Sequence, residues 1–278
     1  MPRDGMLRVL GALDGVDAAI GFGGISAAHL APDLTLTVVS DLTQQGQMRL
    51  VLDPSLRPVA LERLSAGPLR DGGGRPLARG HAGDAEALAR RPDGTWLVGF
   101  ERWHRIRAYA DLDGPGVYAE APPGLDLAPG NGGLEALTTL ADGRLLALAE
   151  ELEPSPGLRA GWLGGGGRWE GLTYRPATGF VPTDAAGLPD GGALVLERSF
   201  SLFAGFAGRV VRLPPAAIRP GAVLEGEELL RLDEGPLAEN WEAVAVTVHQ
   251  GRQLVAMLTD NNENRLQRSL LLLAELAG

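Results

Sequence analysis

Apolar residues in this chain come in short runs that alternate with polar ones and stop at Pro, Asp, Asn and Gly. A period of two, with turn residues between runs, predicts strands rather than helices. One design recurs five times: from Gly23-Gly24-Ile25-Ser26 to Ser40-Asp41, from Asp84-Ala85-Glu86 to Phe100-Glu101, from Asn131-Gly132-Gly133-Leu134-Glu135 to Ala149-Glu150, from Thr183-Asp184 to Leu196-Glu197, and from Asn240-Trp241-Glu242 to Thr259-Asp260. Each segment opens with an acid or Ser near Gly or Asn, passes through two apolar runs joined by a turn, and closes on an acid. The turns are Pro32-Asp33, Pro92-Asp93-Gly94, Asp142-Gly143, Pro189-Asp190-Gly191 and Gln250-Gly251. Gly accepts φ > 0, so Asp-Gly between alternating runs predicts a β-hairpin.

The openings at residues 26, 86, 135, 184 and 242 lie 60, 49, 49 and 58 residues apart. That spacing is the length of a four-stranded propeller blade. Further strands are expected at 104–109 and 117–121, at 160–163 and 169–174, and at 208–213 and 227–232. The last hairpin is followed only by 269–276, and an N-terminal strand at 7–13 can complete its blade and remove the open edges. The expected fold is all-β: a β-propeller of five four-stranded blades closed by the N-terminal strand, with residues 1–278 as one domain. Six shorter blades are the alternative. Helical signals are weak, and one short turn is expected at 215–220.

In a symmetric hairpin, residues sharing one midpoint face each other. Centring each hairpin on its turn pairs Ser26 with Asp41, Glu86 with Glu101, Glu135 with Glu150, Asp184 with Glu197 and Glu242 with Asp260. All five pairs then converge on one mouth of the central channel. Nine of these ten residues are acidic. Like charges face to face destabilise a sheet, so such a cluster needs cations, arginines or shared protons. Carboxylates, with Asn131 and Asn240, are hard oxygen ligands that suit Ca2+. The candidate metal ligands are Asp41, Glu86, Glu135, Glu150, Asp184, Glu197, Glu242 and Asp260. Arg102 and Arg198 each follow a closing acid and Arg105 lies nearby, so all three are candidates to hold carboxylate or phosphate oxygens. Glu101 and His104 are the acid–base candidates. His29, His81 and His249 lack a paired metal-ligand spacing and read as structural.

Composition narrows the chemistry. The chain carries 25 basic residues, all Arg, against 35 acidic ones, a net charge of −10. With no basic run, it is not built to collect nucleic-acid phosphates. It has no Cys, which removes disulfides, zinc–thiolate sites, iron–sulfur clusters and a thiol nucleophile. No stretch approaches the roughly 18–20 apolar residues of a membrane helix. No signal peptide is visible at the N-terminus. There is no G-x-S-x-G elbow for a serine hydrolase. Gly164-Gly165-Gly166-Gly167 lacks a following Lys-Ser/Thr and reads as a loop between strands, not a phosphate loop.

The ordered set of motifs resembles the phytase-like family, often named for "esterase-like activity of phytase". The segments that carry the resemblance are Phe22-Gly23-Gly24-Ile25-Ser26, Asp84-Ala85-Glu86-Ala87-Leu88 with Glu101-Arg102-Trp103-His104-Arg105-Ile106, Asn131-Gly132-Gly133-Leu134-Glu135-Ala136-Leu137, Thr183-Asp184-Ala185-Ala186 with Leu194-Val195-Leu196-Glu197-Arg198, and Glu239-Asn240-Trp241-Glu242-Ala243-Val244 with Thr259-Asp260-Asn261-Asn262-Glu263-Asn264. The resemblance spans about residues 7–276. It implies a secreted or periplasmic bacterial β-propeller with a hydrolase-like label.

Two functions follow as expectations. One is a Ca2+-dependent hydrolase of phosphoric or other esters, in which the acid ring holds the ion. The other is a non-enzymatic propeller that binds a metal or small molecule at the same mouth. Glycoside hydrolysis by two mouth carboxylates ranks last, because aromatics for sugar stacking are few.

Overall fold

The computed structural model describes residues 7–203, 205–262, 264 and 267–277. The first five residues, read above for a signal peptide, and Glu263 of the last motif lie outside the described residues. β1 (Leu7–Asp14) and a short helix, α1 (Val16–Ile20), precede the first blade, which is β2 (Ile25–Leu30), β3 (Thr35–Ser40), β4 (Gln44–Leu52) and β5 (Pro58–Pro68). The second blade is β6 (Ala85–Arg90), β7 (Trp96–Phe100), β8 (Arg105–Tyr109) and β9 (Val117–Glu120). The third is β10 (Leu134–Thr139), β11 (Leu145–Ala149), β12 (Arg159–Gly165) and β13 (Arg168–Tyr174). The fourth is β14 (Val181–Gly187), β15 (Ala193–Ser201) and β16 (Gly205–Leu213). Its outer strand, β18 (Glu227–Leu232), follows a short β17 (Val223–Leu224) that returns to pair in parallel with β13. The fifth is β19 (Trp241–His249), β20 (Arg252–Thr259) and β21 (Leu270–Leu276). β1 pairs antiparallel with β21 and completes this last blade, as the sequence predicts. Five sheets, not six, form the ring.

Ring closure follows from burial. Five apolar clusters fill the five seams between neighbouring blades. Side chains alternate across a strand, so a strand must be apolar on both faces when each face meets a neighbouring blade. The run Leu270-Leu271-Leu272-Leu273 illustrates this: Leu270 and Leu272 pack toward the fourth blade, while Leu271 and Leu273 pack toward the first. Gly164–Gly167 proves to be a carboxylate cradle. The amides of Gly166 and Gly167 donate to Glu120 of the second blade at 3.0 and 2.8 Å, and Trp169 Nε1 adds a third hydrogen bond at 2.7 Å.

Facing pairs differ from the midpoint expectation for two physical reasons. First, four hairpins turn through three residues, not two. Leu34, Gly94, Gly143 and Gly191 take φ of 66°, 91°, 85° and 91°, and the preceding Asp33, Asp93, Asp142 and Asp190 each accept the amide two residues on at 2.8–3.0 Å. Such loops centre on the Asp. Among the five hairpins that open the blades, Gln250-Gly251 alone is a two-residue turn, with φ of 50° and 76°.

Second, every inner strand carries a β-bulge where it nears the channel mouth, between Ile25 and Ala27, Ala85 and Ala87, Leu134 and Ala136, Pro182 and Asp184, and Trp241 and Ala243. The extra residues are Ser26, Glu86, Glu135, Thr183 and Glu242. They have no direct partner on the adjacent strand. A bulge re-aims its side chain. Here it turns four of these five residues, Ser26, Glu86, Glu135 and Glu242, into the channel instead of setting acids opposite each other. In the fourth blade the residue at the bulge is Thr183, so Asp184 stands one position further in than its supposed counterparts. Ala27, Ala87, Ala136 and Ala243 occupy that position elsewhere.

Candidate functional site

Strand direction places the site. Inner strands start at the mouth and second strands return to it, so the residues that open and close each hairpin meet there. They enclose a cavity of about 220 Å³ lined by Ser26, Asp41, Asp84, Glu86, Glu101, Arg102, Asn131, Glu135, Glu150, Arg198, Glu242, Asp260 and Asn262. Eight carboxyl groups thus face two guanidinium groups.

Six of the eight proposed metal ligands line this cavity: Asp41, Glu86, Glu135, Glu150, Glu242 and Asp260. Two do not. Glu197 sits opposite Pro182 and points away from the channel, where it accepts hydrogen bonds from the Tyr174 hydroxyl and the Ala177 amide and pairs with Arg209 at 3.3 Å. Asp184 lies deeper. Its carboxylate accepts the amides of Ala185 and Val244, each at 2.8 Å, and the Ala28 amide also donates to it.

Glu101, Arg102 and Arg198 line the cavity, while His104 and Arg105 lie behind it. Arg105 is buried. Its guanidinium lies 4.4 Å over both the Phe100 and Trp103 rings and donates to the carbonyls of Trp103 and Ala82. The His104 ring packs over Gly133, where a Cβ would collide with it. The Gly133 amide donates to Glu101. Glycine is therefore required at 133 for close approach. Gly24 has the same role beside Asp41 and also takes φ 68°, in the left-handed region.

Asp84 was not among the sequence candidates. The alternation Asp84-Ala85-Glu86 was its signal, since residues two apart share a face until a bulge intervenes. Asp84, Glu86 and Glu101 each bring one oxygen within 4.8 Å of the others, a grouping that can hold a metal ion. Arg102, at φ 58°, pairs with Asp84 from the rim. Asn131 and Asn262 add amide oxygens to the lining. The donor set is hard oxygen throughout, with no His, which fits Ca2+.

Electrostatics at the mouth follow from burial and crowding. Burial, then the charges of Glu101, Asp84, Asp41 and Glu242, raises Glu86 well above the carboxylate range. Burial raises Glu135 likewise, with Glu86 and Glu101 adding to the effect. Burial pushes Glu101 up to about 7, opposed by hydrogen bonds from Gly133 and with Glu135. Two carboxyl groups in a hydrogen bond require a proton between them. Glu242 is pushed up to about 8 by burial, although Arg198 pulls it down.

Arg198 spans three blades. It donates to Glu150 at 2.9 Å, to Asn240 at 2.8 Å and to Glu242. Burial alone would lower its pKa, but Glu242, Glu150 and Glu135 together raise it.

Fold and site define a five-bladed β-propeller with an acid-lined mouth. The chain belongs to the phytase-like family described as "esterase-like activity of phytase", whose match covers residues 20–263. No curated protein matches it. Similar solved structures include a PQQ-bound aldose sugar dehydrogenase from Streptomyces coelicolor, at 15% identity and a TM-score of 0.49, covering 99% of each chain. A thermostable family-43 glycoside hydrolase is similar at 12% identity and a TM-score of 0.49, covering 91% of this chain and 89% of its own. Virginiamycin B lyase from Staphylococcus aureus is similar at 10% identity and a TM-score of 0.44, covering 94% of this chain and 97% of its own. Among the described residues, no helix is long and apolar enough to cross a membrane.

Proposed function

We propose that the mouth binds a divalent cation, Ca2+ by its donor chemistry, and hydrolyses small phosphoric or related esters. The observation that carries this reading is the convergence of Asp84, Glu86 and Glu101 in a cavity where carboxyl groups outnumber guanidinium groups eight to two. Those three side chains would hold the ion. When bound, it would neutralise an anionic ester oxygen and acidify water.

The chain's own residues supply the remaining roles. Glu135, kept protonated by burial, is the group suited to give a proton to a leaving oxygen. Glu101, hydrogen bonded to Glu135, would take the proton that the attacking water loses and pass it to Glu135, replacing the one that leaves with the alcohol. Arg102, half-exposed at the rim, meets an incoming anion. Arg198 fixes Glu150 and Glu242. His104 and Arg105 are positioning residues, because they pack behind the loop that presents Glu101. A secreted or periplasmic setting, implied by the family resemblance, would supply Ca2+.

The test is elemental analysis of protein purified without chelator, thermal melting with EDTA and with Ca2+, and turnover of p-nitrophenyl phosphate and p-nitrophenyl acetate. About one Ca2+ per chain, with turnover that chelation abolishes and Glu86→Gln removes, is the expected result. Bound Ca2+ without turnover of either ester would establish the second reading, a metal- or ligand-binding propeller. One observation favours that alternative: both guanidinium groups lining the cavity already hold carboxylates.

A further inference from the structure

Blade four carries a feature that neither the channel nor the core uses. β15 and β16 run on past their neighbours. β14 ends its pairing opposite Arg198, and β18 ends opposite Gly208. Beyond that point Ser199 pairs with Ala207, Phe200 with Phe206 and Ser201 with Gly205. These three pairs form a two-stranded ribbon that projects roughly 10 Å at the rise of an extended chain.

No charged residue occurs between Arg198 and Arg209, in a chain that is 22% charged. Phe200 is 58% exposed, Leu202 90% and Phe203 103%. Phe200 leans on Phe206, with ring centroids 4.8 Å apart, which stiffens the ribbon. Natural sheet edges are protected by charge, Pro or cover. This ribbon has none of these.

The ribbon leaves from the end of β15 that presents Arg198, so it stands on the face that holds the acid cavity. Leu127 and Trp103, 75% and 51% exposed, lie on other connections of that same face. The opposite face carries the tight Asp-containing turns.

We propose that this face docks on a neutral lipid surface, with Phe200, Leu202 and Phe203 entering the boundary between headgroups and acyl chains. An uncharged apolar tip of this length matches the roughly 5–10 Å depth at which interfacial elements sit. Charge selects among occupants. The acidic mouth beside the ribbon repels an anionic membrane. A second copy meeting tip to tip would bring two acid-lined mouths together, which like-charge repulsion opposes. A zwitterionic surface carries neither penalty.

The test is co-flotation of the full chain with phosphatidylcholine vesicles, in EDTA to exclude bridging by Ca2+. The wild type floats with the vesicles. The variant Phe200→Ser/Leu202→Ser/Phe203→Ser partitions on the order of tenfold or more weaker, as expected for losing three large apolar groups. Adding phosphatidylserine lowers the wild-type bound fraction. Leu202 and Phe203 face solvent and Phe200 packs on Phe206 within the ribbon, apart from the five core clusters, so the variant keeps the wild-type melting temperature. As a second readout, Phe203→Trp shows a blue-shifted emission when the same vesicles are added. Wild-type protein that stays in the soluble fraction, or a triple variant that floats equally well, overturns the proposal. A concentration-dependent dimer that the triple variant abolishes also overturns it and assigns the ribbon to a second copy.

Discussion

Arg198 donates to Glu150 across 2.9 Å, joining the second strand of blade four to that of blade three, while its other terminal nitrogen holds Glu242 in blade five. One guanidinium thus compensates two buried acids. Arg198→Gln leaves both without a cation. Chelated protein should lose on the order of 3 kcal/mol, and its Tm should fall by roughly 5–10 °C. Adding Glu242→Gln should restore a large part of this, a non-additivity expected within one network. An unchanged melt of the single variant would mean that solvent already screens the pair.

Glu86 has the opposite sign. It is half-buried and crowded by Glu101, Asp84, Asp41 and Glu242, with no ion pair to arginine among the described residues. Glu86→Gln replaces, at nearly constant volume, an acid that its neighbours and its burial force to keep its proton. The chelated protein should melt higher by roughly 2–4 °C, for a gain of about 1 kcal/mol, while the upward shift on adding Ca2+ disappears. A variant that keeps the full Ca2+ response would remove Glu86 from the ligand set.

Gly133→Ala tests the scaffold behind Glu101. The added methyl group meets the His104 ring, and the backbone shift it forces moves the amide that holds Glu101. Ca2+ affinity measured by calorimetry should fall on the order of tenfold or more, the usual cost of disturbing groups that orient ligands. Gly171→Ala, which like Gly133 lacks a positive φ but has open space around its Cβ, controls for the loss of a glycine as such and should leave Ca2+ affinity unchanged.

Stability should depend on pH in a direction set by Glu101 and Glu242. Their folded pKa values are pushed up to about 7 and about 8, from an ordinary value of 4.5. The folded protein therefore binds more protons than the unfolded chain between these limits. Their contribution is fully present below about 4.5 and is lost as pH rises through 7 and 8. Urea unfolding of chelated protein should show stability falling from about pH 5 to about pH 9. Saturating Ca2+ should oppose that fall, because the ion binds the deprotonated groups. A flat or rising profile without metal would contradict the buried, shared-proton description.

The blade count and ring closure were legible because they rest on long-range repetition: five turns, five closing acids and one N-terminal strand without a partner of its own. The facing of individual acids was not. Asp93-Gly94 looks like a two-residue turn, yet Pro92 joins the loop and moves its centre onto Asp93. The bulge at Glu86 then shifts the strand by another residue. Neither displacement changes the apolar pattern, because the bulge lies at the strand end where alternation gives out. Asp184 and Glu197 were misplaced for this reason, and Asp84 was missed. The apolar ribbon was invisible as a site because Phe200 and Phe203 look like core residues until the neighbouring strands are seen to stop short.

Asp184 gives the channel a floor. The amides it gathers, on Ala185, Val244 and Ala28, belong to three of the inner strands that surround a smaller cavity of about 120 Å³ beneath the mouth. A carboxylate tied across three blades in this way stands between two cavities that share no lining residue. A ligand bound at the mouth, as proposed above, would therefore meet only the residues of the upper cavity.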